Sequence, residues 1–271
     1  MDDVLGYEGK RVVVTGAASG MGEQVARIAH ELGAVVIGAD VKPVKTTVSE
    51  SIQLDLTDEA SIAATVDAID GPVDALFSCA GLPGDPFSDL DVGLVNFIGA
   101  RAVIDGLVPK MPEGSAIACI ASSAGIGWQQ ELAAYKPLLD TTSFAEAKAW
   151  CEKNPEQAFP IGGYRMSKVV LNQYVAHASV DLAERGIRIN CLNPGPTNSP
   201  MMPAFHALAG KDMVDAAIGS IRRYSEPAEQ AWPMICLNSP RLSYVTGEAL
   251  WADGGFLAAM TVGRHAGFEG L

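Results

Sequence analysis

The sequence predicts a doubly wound α/β domain built on a parallel sheet of about seven strands. Three observations carry that expectation: short β-branched runs alternate with longer helical patterns, the strand runs are continuously apolar, and a glycine-rich turn follows the first strand. Such alternation is the sequence form of β-α-β units, and strands apolar on both faces belong to a sheet covered by helices on both sides.

RVVVTG (11–16) reads as the first strand and residues 22–32 as the helix after it. AVVIGAD (34–40) reads as the second strand, with a helix within 59–69. Further strands read at ALFSCAG (75–81), SAIACIAS (115–122), IRINCLNPG (187–195) and EALWADGG (248–255), and helices around 93–108, 164–185 and 227–237. Residues 129–160 break the alternation and are richer in Glu, Lys and Ala. They read as a helical insertion with short helices at about 131–139 and 143–153, and Pro160, Gly162 and Gly163 punctuate the return. Phe144 and Trp150 offer apolar anchors, so a substrate wall or a subunit contact suits the insertion better than a solvated hairpin. The tail GRHAGFEGL (263–271) is expected to be partly ordered at best. Residues 1–271 form one domain on this reading.

Composition narrows the function. A chain of 271 residues, 48% hydrophobic, can bury a large core, and a net charge of -13 opposes contact with nucleic-acid phosphates or anionic lipid surfaces. Small molecules are the expected partners. The five cysteines (Cys79, Cys119, Cys151, Cys191, Cys236) are scattered without C-x-x-C spacing, which points to reduced thiols. The histidines are equally dispersed, and no metal site is expected. No apolar run approaches the roughly 18 residues of a bilayer span, and the polar N-terminus does not resemble a signal peptide. Cytoplasmic residence is the expectation.

After the first strand comes TGAASGMG (15–22), with Gly16, Gly20 and Gly22 around Ser19 and Met21. A bare-backbone turn opening a helix lets N–H groups approach a pyrophosphate, and the helix N-terminus favours its charge. Asp40 stands at the end of the second strand, where a carboxylate accepts hydrogen bonds from adenosine ribose hydroxyls and repels a 2′-phosphate. That favours NAD over NADP, although the nearby Lys42 leaves room for dual use.

Tyr164 and Lys168 lie one helical turn apart on one helix face. Carbonyl reduction needs a hydride on carbon and a proton on oxygen. A tyrosine can supply that proton if a neighbouring ammonium and a cationic nicotinamide lower its ordinary pKa of about 10. Ser122 and Ser123 end the strand SAIACIAS at the carboxyl edge of the sheet, where a hydroxyl can polarise a substrate oxygen.

TGAASGMG, Asp40, Asp55-Leu56, SCAG (78–81), VNFIG around Asn96, the IASS serine, YRMSK (164–168) and NPGPT (193–197) occur in that order. Together they resemble the short-chain dehydrogenase/reductase family, from about residue 10 to residue 256. The resemblance implies a Rossmann-type fold and a tetrad of Asn96, Ser122, Tyr164 and Lys168, with Asn96 supporting a water that links Lys168 to solvent. Ser122 is preferred over Ser123 by the family's spacing. It also implies Asp55 and Leu56 beside the adenine, Ala80 and Gly81 beside the adenosine ribose, and Pro194, Gly195 and Thr197 along the nicotinamide. Lys168 would hold the nicotinamide ribose, and the chain would be a homo-oligomer, dimer or tetramer.

Two departures stand out. The family's Asn-Asn-Ala-Gly is Ser78-Cys79-Ala80-Gly81 here, and Ser122 to Tyr164 covers 42 positions where about a dozen is usual. The longer spacing resembles the bacterial subgroup containing 3α-hydroxysteroid dehydrogenase/carbonyl reductase and coniferyl alcohol dehydrogenase. Residues 198–224, with Met201, Met202, Phe205 and Leu208, fall where the family carries a mobile substrate lid, and flexible methionines suit an apolar pocket. The expected substrate is a hydrophobic cyclic or aromatic alcohol or ketone, steroid-like or aryl-allylic. An NADPH-dependent carbonyl reductase and a noncatalytic dinucleotide sensor are the alternatives.

Overall fold

The computed structural model describes residues 3–265. Seven parallel strands form one sheet in the order β3-β2-β1-β4-β5-β6-β7: β1 Arg11–Thr15, β2 Val35–Asp40, β3 Glu50–Gln53, β4 Ala75–Ser78, β5 Ala116–Ile120, β6 Arg188–Pro194 and β7 Ala249–Ala252. Six of these are the predicted strands. The seventh, β3, has the sequence ESIQ and no apolar run, because it is an exposed edge strand whose order comes from pairing with β2, Ile37 opposite Glu50. Edge strands need only one good partner and little apolar surface.

Helices cover both faces. On one side α1 (Gly20–Glu31) packs against α11 (Pro227–Asn238) over Val12, Val14, Val36, Phe77 and Leu192. On the other side lie α2 (Glu59–Ala68), α3 (Asp89–Gly93), α4 (Gly99–Leu107) and α8 (Gly163–Ala183), over Val13, Ile37, Leu76, Ile117 and Ile189. Alternate residues of one strand thus feed two separate cores, as a doubly covered sheet requires. The helix predicted from residue 93 begins earlier, at Asp89, where Ser88 and Asp91 form a reciprocal cap. It also passes through a π-helical turn, Leu94–Ile98, that carries Asn96. Such turns inside α-helices recur at functional sites.

The run Asp89–Lys110 is long and apolar enough to cross a membrane by length and composition, but 67% of that window is buried in the core. This corrects the expectation that no segment approaches that length, although Asp91, Arg101 and Asp105 break the apolar run.

Residues 129–160 form α5 (Leu132–Leu139), α6 (Phe144–Lys153) and the short α7 (Pro155–Ala158). Tyr135, Leu138, Phe144, Ala147 and Cys151 are buried and belong to the same core as α4 and α8. The buried Arg101 of α4 donates to Leu138 O at 3.5 Å and to Thr141 Oγ1 at 2.9 Å, and so satisfies the carbonyl end of α5. The predicted tail lies outside the described residues from 266 onward.

Candidate active site

The strand order reverses between β1 and β4, and open α/β sheets hold ligands in the crevice at that point. The glycine turn fills its floor. A Cβ on Gly16, whose φ is +73°, would come within 2.6 Å of Ala80 N, and one on Gly22 within 2.2 Å of Gly16 O. Gly16 is required by the close approach of the turn to the backbone after β4, and Gly22 by the close approach of the helix start to the turn itself. Gly20 differs: its φ is +63°, yet its nearest neighbour would be Pro200 Cδ at 3.6 Å. A Cβ there would make only ordinary contact with Pro200 and Ser199, so Gly20 is set by its positive φ, and its bare backbone opens the helix as a pyrophosphate cradle needs.

Asp40 ends β2 beside this turn. Its Oδ2 accepts from Ala18 N at 3.0 Å and its Oδ1 from Lys42 N at 2.9 Å, so the carboxylate is held by two backbone amides while lone pairs remain for a ribose. Asp55 is engaged locally, accepting from Thr57 N and Thr57 Oγ1 at 2.8 and 2.7 Å, and Leu56 is buried beneath Gly99. These residues shape the turn into α2.

The next group is carried by β5 and α8. Gly162, at φ +87°, turns the chain into α8, and Gly163 N donates to Asp89 Oδ1 at 2.6 Å. A Cβ on Gly163 would meet Asp89 O at 2.3 Å, so the glycine pair read as punctuation also seats the helix that presents Tyr164. Ser122 extends from the end of β5. Its Oγ accepts from Ala124 N at 3.1 Å, which leaves its proton free, and it hydrogen-bonds the Tyr164 phenol. Ser122, not Ser123, makes that contact. Lys168 is buried, with Nζ 5.4 Å from the Tyr164 ring centroid and donating to Ile120 O at 3.1 Å.

A neighbouring ammonium is expected from sequence to lower the phenol's pKa. In the protein alone burial raises the Tyr164 phenol and the Ser122 hydrogen bond only partly offsets the loss of water, while the sequence expectation concerns the site with a nicotinamide cation beside it. Burial brings the Lys168 ammonium down to about 8, against a smaller opposing effect from Cys191, Cys119 and Cys79 around it. All five cysteines are free thiols.

The Asn96 side chain makes three hydrogen bonds. Its Nδ2 donates to Leu82 O at 3.0 Å and to Ser167 Oγ at 3.2 Å, and its Oδ1 accepts from Leu82 N at 2.7 Å. It fastens the segment after β4 to α8 next to Lys168.

Ser122, Tyr164 and Lys168 converge on a cavity of about 200 Å³ that runs from Met21, Ala80 and Gly81 to Pro194, Gly195 and Thr197. Its far wall is apolar: Met201, Met202, Phe205, Val214 and Ala217 come from the segment after Thr197, which forms α9 (Met202–Ala209) and α10 (Lys211–Ala216). Leu208 is exposed and does not line it. Phe205 meets the Tyr164 ring edge to face, centroids 5.0 Å apart. No residue of 129–160 reaches the cavity, and among the described residues Lys168 is the only charged side chain in its lining. Sequence reasoning missed Leu82 and Ser167 as partners of Asn96. It also missed the polar contacts behind Phe205, whose members lie in separate elements and have no common spacing.

This arrangement is that of a short-chain dehydrogenase, and the chain belongs to the short-chain dehydrogenase family. Residues 10–136 match the family model described as short chain dehydrogenase, and residues 154–257 match that of enoyl-(acyl carrier protein) reductase. The gap between them falls on the end of α5 and on α6. The chain is 28% identical to coniferyl-alcohol dehydrogenase of Pseudomonas sp., over 91% of this chain and 96% of that protein. It is 30% identical to cis-4-hydroxycyclohexanecarboxylate dehydrogenase of Sinomonas cyclohexanicum, again over 91% and 96%. Among solved structures, 3-alpha-hydroxysteroid dehydrogenase from Pseudomonas sp. B-0831, complexed with NADH, matches at a TM-score of 0.78 and 26% identity, covering 94% of this chain and 99% of that one.

Proposed function

We propose that this protein is an NAD-dependent dehydrogenase that interconverts an uncharged cyclic or aromatic alcohol and its carbonyl compound. The observation that carries the reading is the convergence of the Ser122 hydroxyl, the Tyr164 phenol and the Lys168 ammonium on an apolar cavity with no second charge among the described residues. A carboxylated substrate would find only Lys168 as a counter-charge. Coniferyl alcohol, named for one relative, supports an uncharged aromatic substrate; the hydroxycyclohexane ring named for another supports the cyclic class, although that substrate carries a carboxylate.

Gly16, Ser19, Gly20, Met21 and Gly22 would hold the pyrophosphate of NAD, Asp40 its adenosine ribose, and Asp55, Leu56, Ala80 and Gly81 the surrounding adenosine half. Pro194, Gly195 and Thr197 would line the nicotinamide, which when bound gives or takes the hydride. Ser122 would donate a hydrogen bond to the substrate oxygen and hold it against Tyr164. In reduction Tyr164 passes its phenolic proton to that oxygen, and in oxidation it receives the proton back. Lys168, the one ammonium in the cavity, would stabilise the phenolate and orient the nicotinamide ribose. Asn96 would act through position, since its amide is occupied by Leu82 and Ser167.

The preference for NAD rests on Asp40. Two backbone amides hold its carboxylate in place, so it cannot swing aside for a 2′-phosphate without breaking both bonds. Asp40→Ser is expected to shift the NADPH-to-NADH ratio of kcat/KM upward by about tenfold or more, the effect of removing a like-charge contact at close range. The reading is tested by titrating NADH and NADPH against the wild type and assaying a panel of ring alcohols and ketones. Equal or tighter binding of NADPH would overturn the cofactor assignment.

A further inference from the structure

The segment after Thr197 is fastened by polar contacts that the reaction does not use. His206 Nε2 on α9 is 3.0 Å from the Tyr224 hydroxyl, Tyr224 donates to Asp215 Oδ1, and Lys211 pairs with Asp215 Oδ2. Proton positions along this chain follow from counting. Tyr224 has a single proton and gives it to Asp215, so its oxygen is the acceptor for His206, and Nε2 carries a hydrogen whether the imidazole is neutral or charged. The Asp215 carboxyl is held below the ordinary carboxylate range, first by the Lys211 hydrogen bond and then by that of Tyr224. The Tyr224 phenol is pushed up to about 12 by burial and then by the carboxylate, which keeps its proton in place.

Tyr224 is anchored outside α9 and α10. The adjacent Ser225 donates its amide to Pro196 O at 3.0 Å, its carbonyl accepts from Asn198 N at 2.8 Å, and its hydroxyl lies 2.9 Å from Thr197 Oγ1. The chain of contacts therefore ties both helices to the loop Pro194–Thr197. Phe205, one residue before His206, lies edge-on against Tyr164.

We propose that Phe205 is a specificity-determining residue and that Tyr224 is the positioning residue which, through His206 and Asp215, holds the Phe205 ring on Tyr164. This rests on reading Tyr164 as the proton-transfer group. With Phe205 in place the cavity, about 200 Å³, is below the roughly 300 Å³ at which small-molecule pockets usually begin, and it must take both the nicotinamide end and the substrate. A single-ring alcohol can share the face of Tyr164 with Phe205. A fused-ring alcohol must push that ring aside and work against the fastening, so the site selects single-ring substrates.

The test compares kcat/KM for cinnamyl alcohol and for a 3α-hydroxysteroid in the full-length enzyme with NAD. Phe205→Ala should raise the steroid-to-cinnamyl ratio by about tenfold, chiefly through KM for the steroid. Tyr224→Phe and His206→Leu should move the ratio in the same direction by about threefold. His206→Gln, which keeps an N–H donor, should restore it. An unchanged ratio in Phe205→Ala with intact NADH binding would overturn the specificity role. Hydrogen exchange judges the fastening separately: amides of residues 202–216 should exchange about tenfold faster in Tyr224→Phe, and unchanged exchange removes it. If the wild type turns over neither alcohol, the specificity claim falls with the function beneath it, and exchange alone decides the fastening.

Discussion

Replacing Tyr164 by phenylalanine is expected to lower kcat by about a thousandfold, within the range for loss of a positioned general acid–base, while NADH affinity stays close to that of the wild type. The substitution removes one oxygen and keeps the ring, so the edge-to-face contact with Phe205 and the seating of α8 on Asp89 survive. What disappears is the proton that the substrate oxygen exchanges, and Ser122 loses its phenolic partner. Single-turnover measurement with saturating cofactor separates this from a binding defect. A variant retaining more than about a tenth of the wild-type rate would mean that another group moves the proton. A wild type that binds NADH but turns over no alcohol or ketone would point to a dinucleotide sensor.

Lys168→Met is expected to change stability and activity in opposite directions. Burial holds the ammonium at about 8 against an ordinary 10.5, so the folded state carries a penalty for the charge of about 3 kcal/mol at neutral pH, at 1.36 kcal/mol per unit. Methionine fills the same space without charge but forfeits the hydrogen bond to Ile120 O, worth about 1 kcal/mol. A net gain of about 2 kcal/mol follows, together with near-complete loss of turnover. The sign against pH is fixed by the direction of the shift. Between pH 8 and 10.5 the unfolded wild type binds more protons than the folded form, so wild-type stability rises with pH across that window. The advantage of the variant is therefore greatest below pH 8 and shrinks as the pH approaches 10.5. Urea titrations of both proteins at pH 7 and pH 9.5 measure it. A variant less stable than the wild type at pH 7 would show that the ammonium is stabilised in the fold.

Six strands and the helices on both faces were legible because each is apolar on the side it buries, and apolar periodicity is local. β3 was not, since Glu50, Ser51 and Gln53 bury little and are ordered by β2 alone. The cofactor turn and the pair Tyr164 and Lys168 were legible because their chemistry depends on fixed spacing within one element. The burial that raises the phenol in the protein alone was not legible from that spacing, because it depends on what other elements lay over the ring. Residues 129–160 were legible as helices. Arg101 and the apolar faces of α5 and α6 attach them to the core, away from the cavity, through contacts distant in sequence.

The amino-acid order alone therefore specified a nicotinamide-type α/β fold and the residue types of a hydride-transfer site, since both are written in short-range pattern and spacing. Only the tertiary structure decided which serine meets the phenol, that Asn96 spends its amide on Leu82 and Ser167, and that Lys168 is, among the described residues, the single charge in an apolar cavity capped by Phe205. Those outcomes depend on desolvation and on groups brought together from separate elements, and neither quantity is local in the chain.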